Sequence, residues 1–218
     1  TPRYLGDPDI RSAIKHGIDR AALVNDLMSG FGVVASDSPI GPANQFYASD
    51  IVPDPFDPDR AKFHLARAGL THTQIGFDPR DGNEAQSYAH ALQTGLASAD
   101  FESEVVENPT ADWNVSTWNG RATEHWALSS SYDTAALMTD RSEAFDTLLL
   151  AARSELDGEL RREMYYDIQM MLRDHSAAVI PAFSPYLQAT SNRIGTPSSI
   201  GNLWDMDSAR MAERWWSA

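Results

Sequence analysis

The sequence predicts an α/β protein built on a mixed sheet. Segments with helical apolar spacing alternate with short runs rich in β-branched and aromatic residues. Most of the helical segments begin on an aspartate that can cap them, twice as Asp-Pro. A strand, a helix and a second strand follow one another between residues 73 and 106, which suggests a βαβ unit with a parallel pair, a connection that in nearly all cases crosses over right-handed.

The elements follow in order. Asp7 caps the first helix and Pro8 occupies its first turn, where no amide hydrogen is needed. Ile10, Ala13, Ile14 and Ile18 recur at helical spacing. Asp19 restarts a second helix whose expected inner face is Leu23, Leu27 and Met28, with Gly30 as its stop. Residues 31–55 read as loop, because SDSPIGP and VPDPFDP supply prolines and glycine. Loops of this length are usually functional or part of an interface. Asp57-Pro58 opens a third helix that ends at Gly69. A strand over 73–77 leads to a helix over 83–98 with Ala85, Tyr88, Ala89, Leu92 and Leu96 on one face. Residues 101–106 form the next strand.

Farther on, Asp140 with Glu143 has the spacing of a capping box. Its helix directs Phe145, Leu148, Leu149, Ala152 and Leu156 inward. Asp157 caps another, with Leu160, Met164, Ile168, Met171 and Leu172 on one face. A buried strand is expected over 177–183, a returning strand over 186–190, and a short closing helix over 205–216.

Composition removes whole classes of function. The chain of 218 residues carries 31 acidic and 17 basic residues, a net charge of -14. Lys15 and Lys62 are its only lysines, and its arginines are dispersed. A nucleic acid or an anionic membrane surface needs a basic stripe, so neither is an expected partner. The absence of cysteine removes disulfides, thiolate catalysis and zinc-thiolate sites together. No apolar run approaches the roughly 18 residues of a membrane span. The longest one near a terminus is also too short for a signal peptide, as in a mature, trimmed or excised chain.

Chemistry concentrates between residues 112 and 133, DWNVSTWNGRATEHWALSSSYD. Trp113, Trp118, Trp126 and Tyr132 stand there among Asn114, Asn119, Arg121, Thr123, Glu124 and His125, with Gly120 in the middle. Aromatic walls with a few orienting polar groups are how ligand sites are built. The same aromatics serve a core equally well, so composition leaves both readings open. No long helical period runs through the stretch.

Other chemistries find little footing. His16, His64, His72, His90, His125 and His175 are scattered, with no pair at the spacing of HExxH. Asp54, Asp57 and Asp59 have the look of a calcium loop, but Pro55 and Pro58 break it and Asp57 is a cap. No glycine-rich phosphate loop is present, and Ser129, Ser130 and Ser131 lack a nucleophile-elbow context. Neither a metal nor a cofactor is expected. An enzymatic alternative would pair Glu124 with Asp133 in carboxylate-based hydrolysis.

DIRSAIKHGIDRAALVNDLMSGFGVVASDSPIGP and FDPDRAKFHLARAGL, then FDTLLLAARSELDGELRREMYYDIQMMLRDHSAAVIPAF and NLWDMDSARMAERWW, together cover most of the chain. In this order they resemble the second half of the family 5 extracellular solute-binding proteins, which serve ABC importers of peptides, nickel and other solutes. The resemblance implies a lobe of type II periplasmic-binding-protein-like fold. Residues 1–200 would be the second lobe of a two-lobed protein, and 201–218 the segment that crosses back to a first, N-terminal lobe not included here. It further implies a peptide-like solute bound by cleft closure without catalysis, an ABC permease as membrane partner, and a periplasmic or membrane-associated extracellular location. A lobe alone would bind its solute weakly or not at all. A permease- or receptor-docking module is a further alternative, which calls for a flat polar surface around Trp118.

In peptide-binding members a tryptophan is followed about three residues later by an acid that pairs with the peptide's α-ammonium. Here Trp118 is followed by Arg121, a departure that would repel an ammonium and clamp a carboxylate instead. Glu124 or Asp133 would have to supply the negative charge, and Arg121 could equally be a surface residue paired with Glu124. The implied ligand-binding set is Trp118, Asn119, Gly120, Arg121, Thr123, Glu124 and Phe31. Phe31 and the loop 36–42 correspond to the family's first inter-lobe loop. Asn202, Trp204 and Asp205 lie where the chain would return to the other lobe, which leaves Trp204, Trp215 and Trp216 to be exposed or covered by a partner.

Overall fold

In a computed structural model the described residues are 6–108, 111–134, 142–176, 178–201 and 205–217. Aspartates start the helices as expected. The Asp7 carboxylate accepts from the Asp9 amide at 2.8 Å at the head of α1 (Pro8–Gly17), and that of Asp19 from Ala22 at 2.9 Å at the head of α2 (Arg20–Leu27). Asp57 does the same for α3 (Pro58–Ala68), which stops at Gly69 in the left-handed conformation, φ 65°. The buried face of α2 is Arg20, Leu23 and Val24, whereas Leu27 is exposed. Leu27 is the last helical residue, and the positive φ of Ser29 and Gly30 turns the chain away immediately after it.

Strand β2 (His72–Phe77) is the centre of a three-stranded parallel sheet, flanked by β3 (Glu102–Val106) and β4 (Trp113–Val115). Its partner on one side runs from His72 opposite Glu102 to Gly76 opposite Val106. Ile75 opposes Trp113 on the other. The crossover is α4 (Gly82–Ser98), which buries Ala85, Ala89, Leu92 and Leu96. Gly95 lets α4 touch α1, since a Cβ there would overlap the Gly17 carbonyl. Trp113 is core: it is buried and stacks on Phe101 with ring centres 6.4 Å apart.

The aromatic stretch also contains an unexpected helix, α5 (Glu124–Thr134). Thr123 starts it, accepting the Trp126 amide on its hydroxyl at 3.2 Å and the Ala127 amide on its carbonyl at 2.9 Å. Only Ala127 and Leu128 are buried apolar residues of its described face, too few to print a period on the sequence. The cap of α6 (Glu143–Ser154) is Ser142, which accepts from Phe145 at 3.2 Å; Asp140 lies outside the described residues. Asp157 caps α7 (Gly158–His175) as expected. Leu156 is 92% exposed instead of packed inward. The backbone leaves the helix at Glu155, whose carboxylate accepts from the amides of Leu156 and Asp157, so Leu156 belongs to the link. Leu160, in the first turn of α7, is exposed as well.

Two cores result. One joins α1, α3 and α4 to the parallel sheet, and the other joins α5, α6 and α7 to Ile40 and Phe46. A buried ion cluster ties the segments that run between them. Arg20 Nη2 donates to both carboxylate oxygens of Asp37 at 3.0 and 3.1 Å, and Nη1 to the carbonyls of Ala35 and Ile180, each at 2.9 Å. Lys15 approaches the same carboxylate at 3.6 Å and donates to the Arg173 carbonyl. The Ile180 amide donates to Asp37 at 2.8 Å. Burial pushes the Asp37 carboxyl above the usual carboxylate range, against the opposing pull of Arg20 and Lys15.

The strand expected over 177–183 narrows to β5 (Ala182–Phe183), antiparallel to β1 (Val33–Val34). Pro181 accepts from Ala35 at 3.0 Å but has no amide to return, so the two-way ladder cannot continue past it. Ala177 lies outside the described residues. No strand forms over 186–190, whose residues are exposed. The closing segment is not one helix. Met206, Asp207, Ser208 and Ala209 form a left-handed turn with φ between 53 and 62°, then a single helical turn over Met211–Arg214. The left-handed turn aims Asp207 inward, where it accepts from Gly201, Arg214 and the Trp215 indole. The chain ends in β7 (Trp216–Ser217), antiparallel to β6 (Ile194–Gly195). Asn202 and Trp204 lie outside the described residues.

Replacing Asp37 by Ala leaves two buried cations facing a cavity. Such a change typically costs about 3–5 kcal/mol. Urea unfolding of Asp37→Ala against the parent chain measures it, with a lowered midpoint as the expected result.

Candidate functional site

Thr123 and Glu124 open α5 beside the loop that leaves the ion cluster. Glu124 is 8% exposed, and its carboxylate accepts from the Phe46 amide at 3.0 Å. Asn44 donates to the Arg121 carbonyl at 3.1 Å. On the other side Gln169 of α7 accepts from Ala48 at 3.2 Å and donates to the Phe46 carbonyl at 2.9 Å. Residues 44–48 are thus pinned between α5 and α7.

Between these elements lies a cavity of about 470 Å³. Its apolar wall includes Phe46, Trp126 and Tyr165, and its polar wall Glu124, His125, Arg153 and Arg161. Burial raises the Tyr165 phenol above its usual range, and the charge of Glu124 adds to the effect. Burial lowers the His125 imidazole, helped by the charge of Arg153. The buried His125 Nδ1 has no hydrogen-bond partner, and neither has Arg161 Nε. Arg161 Nη2 donates to the Glu155 carbonyl.

Trp126 carries the site outward. Its ring is 51% exposed and lines the cavity. The Arg121 guanidinium lies 5.4 Å from the centre of this ring and 4.7 Å from that of Trp118, which is 38% exposed. Each such cation–π contact is worth about 0.5–1 kcal/mol at an exposed site. Arg121 Nη1 also donates to the carbonyls of Asn119 and Gly120. It forms no ion pair with a described carboxylate, and Glu124 faces inward instead of pairing with it.

The expected residues therefore divide. Thr123 and Glu124 line the cavity. Trp118, Asn119, Gly120 and Arg121 lie in an irregular segment that meets the cavity through the contact of Arg121 with Trp126. Phe31 is 61% exposed, follows α2, and does not line the cavity. Residues 36–41 are buried, with Asp37 in the ion cluster. The side chains of Tyr132 and Asp133 lie outside the described residues, and the one Glu124 contact given above is structural. His125 belongs to the aromatic stretch singled out in the sequence, but Arg153, Arg161, Phe46 and Tyr165 carry no local signal, because only the packing of α5, α6 and α7 on residues 44–48 brings them together. Among the described residues, no group of three or more histidine, aspartate or glutamate side chains could hold a metal ion. No described helix is long and apolar enough to cross a membrane.

The sequence profile described as "Bacterial extracellular solute-binding proteins, family 5 Middle" matches residues 2–153. The chain belongs to this family. It is similar to the dipeptide-binding protein of Escherichia coli (strain K12), with 23% identity over 221 residues that cover 87% of this chain and 40% of that protein. Among solved structures it resembles NikZ from Campylobacter jejuni in complex with Ni(L-His), with a TM-score of 0.67 and 18% identity, over 84% of this chain and 43% of that one. It also resembles DppA from Helicobacter pylori in complex with the peptide STSA, with a TM-score of 0.64 and 20% identity, over 83% and 40%. These structures share the fold, that of type II periplasmic binding proteins. The family 5 chain spans about 40% of the length of the curated relative it matches.

The depressed imidazole has a consequence for stability. His125 is harder to protonate in the folded state than unfolded, so its contribution is present above the ordinary value of 6.5 and is lost as pH falls through the lower folded value. Thermal unfolding from pH 7 to pH 5 is expected to show a smaller loss of Tm in His125→Gln than in the parent chain.

Proposed function

We propose that this family 5 chain is the solute-binding second lobe of a two-lobed protein that delivers a peptide-like solute to an ABC permease, outside the cytoplasmic membrane. Residues 1–200 form the lobe and 201–218 the segment that returns toward the first lobe. The observation that carries the reading is the concave site itself: a cavity of about 470 Å³ with Trp126, Arg121 and Trp118 at its edge, on the fold of periplasmic binding proteins. A flat docking surface would have no use for such a wall. The names of its relatives, a dipeptide-binding protein and a protein bound to the peptide STSA, support a peptide-like solute. Exposed Tyr186, Leu187, Ile194, Ile200 and Trp216 support a surface that further chain covers.

Binding in this reading works by closure. The lobe presents an aromatic wall with fixed polar groups, the opposite lobe closes over the solute, and the excluded water strengthens each polar contact. No bond in the solute is made or broken.

A thermal-shift screen of peptides and other small solutes at about 0.1 mM tests this, because a ligand of the native state raises its Tm by mass action. The chain is compared with a version joined to an N-terminal lobe of the family. A shift confined to the two-lobed protein is expected. An equal shift in both would overturn binding by closure.

A further inference from the structure

We propose that Asn119 is a self-modifying site: the backbone nitrogen of Gly120 attacks its side-chain amide and expels ammonia, and Arg121 promotes the reaction. The inference goes beyond solute binding and does not depend on it.

The first observation is the pair itself. Asn119-Gly120 is the only Asn-Gly sequence of the chain, and both residues are exposed in an irregular segment. A side-chain amide reacts with the nitrogen of the following residue when the backbone can fold the two together, and glycine hinders that approach least. A Cβ at Gly120 would meet no atom within 4 Å, so packing does not crowd the position. Among the described residues, no hydrogen bond holds the Asn119 side chain or the Gly120 amide. Other asparagines differ. Asn44 is tied at both ends, accepting from Gly41 and donating to the Arg121 carbonyl, each at 3.1 Å. Asn108 precedes a proline, which has no amide hydrogen to give up. Asn114 is held extended in β4.

The second observation is the placement of Arg121. Its Nη1 donates to the Asn119 carbonyl, the oxygen of the same peptide group whose nitrogen must attack, and to the Gly120 carbonyl at 3.3 Å. The nitrogen attacks as an amide anion, whose charge is shared with that Asn119 oxygen. A guanidinium already in place stabilises the charge as it forms, in the manner of an oxyanion hole. Its position is set from two sides: the rings of Trp118 and Trp126 pack on it, and Asn44 fixes its backbone carbonyl.

The step needs no reagent but water. The Gly120 nitrogen loses its proton and bonds to Asn119 Cγ. The Cγ–Nδ2 bond breaks, and Nδ2 takes up a proton and leaves as ammonia. A five-membered succinimide remains, which water opens at either carbonyl to aspartate or isoaspartate. Either product puts a carboxylate two residues from Arg121, which forms no ion pair with a described carboxylate in the unmodified chain. Arg121 thereby gains an anionic partner, and the edge of the cavity gains a negative charge.

The test incubates the 218-residue chain at mildly alkaline pH and follows residue 119 by peptide mass mapping and ion exchange. The expected result is the mass gain of OH replacing NH2, with one added negative charge, confined to the peptide that holds Asn119. The rate should rise with pH, because an amide proton must be lost. Gly120→Ala should slow it at least about 10-fold by hindering the attack. The open space and the absence of a left-handed φ at Gly120 let the alanine fit without strain. Arg121→Gln should slow it about 3- to 10-fold, the effect of one hydrogen bond to a developing charge. Were Arg121 only stiffening the segment, its loss would speed the reaction instead. In concentrated urea, which breaks the contact, the parent and Arg121→Gln chains should react at equal rates. An Asn119 that stays intact in the folded chain while the unfolded chain converts overturns the site. An Arg121→Gln chain that reacts as fast as the parent, or faster, overturns the role of Arg121. The readout is covalent and uses no solute, so its failure is distinct from a failure of the solute-binding reading.

Discussion

The ion cluster around Asp37 is the constraint on which the rest of the fold depends. One guanidinium, that of Arg20, holds both oxygens of Asp37 and the carbonyls of Ala35 and Ile180, while Lys15 closes on the same carboxylate. These contacts join α1, α2 and the loop after β1 to the residues before β5, with 143 positions between Asp37 and Ile180. A buried ion pair contributes little net stability compared with apolar residues of the same volume, but the loss of one partner is expensive. Its value is therefore geometric: the segments can meet in one arrangement and not readily in others. Arg20 Nε is left without a partner, the one gap in the cluster.

From Asp37 the chain passes through Ile40 into residues 44–48, which build one side of the cavity. Their position is fixed a second time by Glu124 and Gln169, which satisfy the backbone of Phe46 from opposite sides. Site and scaffold are thus continuous. The polar residues of the aromatic stretch have divided their roles accordingly. Glu124 and Thr123 hold the backbone, and His125 of α5 and Arg161 of α7 line the same cavity.

Much of the fold was legible in the sequence because its signals are local. Asp7, Asp19, Asp57 and Asp157 are caps in the structure as in the sequence, since a cap needs only its own next three residues. The parallel pair of β2 and β3 follows from strand, helix and strand in succession. What failed to show depends on distant partners. β4 is three residues long and exists because β2 offers it an edge, and among its described residues α5 buries two adjacent apolar side chains, Ala127 and Leu128, that leave no periodic trace. Residues 205–216 carry a helical composition, yet Asp207 gains three donors by turning inward through a left-handed turn. Arg153 and Arg161 fall outside the apolar faces of their helices, where nothing local marks a site. Only the closure of α5 against α6 and α7 gives them a common cavity.

If the Asp37 cluster joins the two cores, they must unfold together. Native-state hydrogen exchange at rising urea concentration reads this directly, through the buried amides of α4 in one core and of α7 in the other. The most protected amides of both helices are predicted to converge on one free energy of opening, that of global unfolding. A separate, lower isotherm for α7, with α4 still closed, would show that the cores are independent and that the cluster does not position the site.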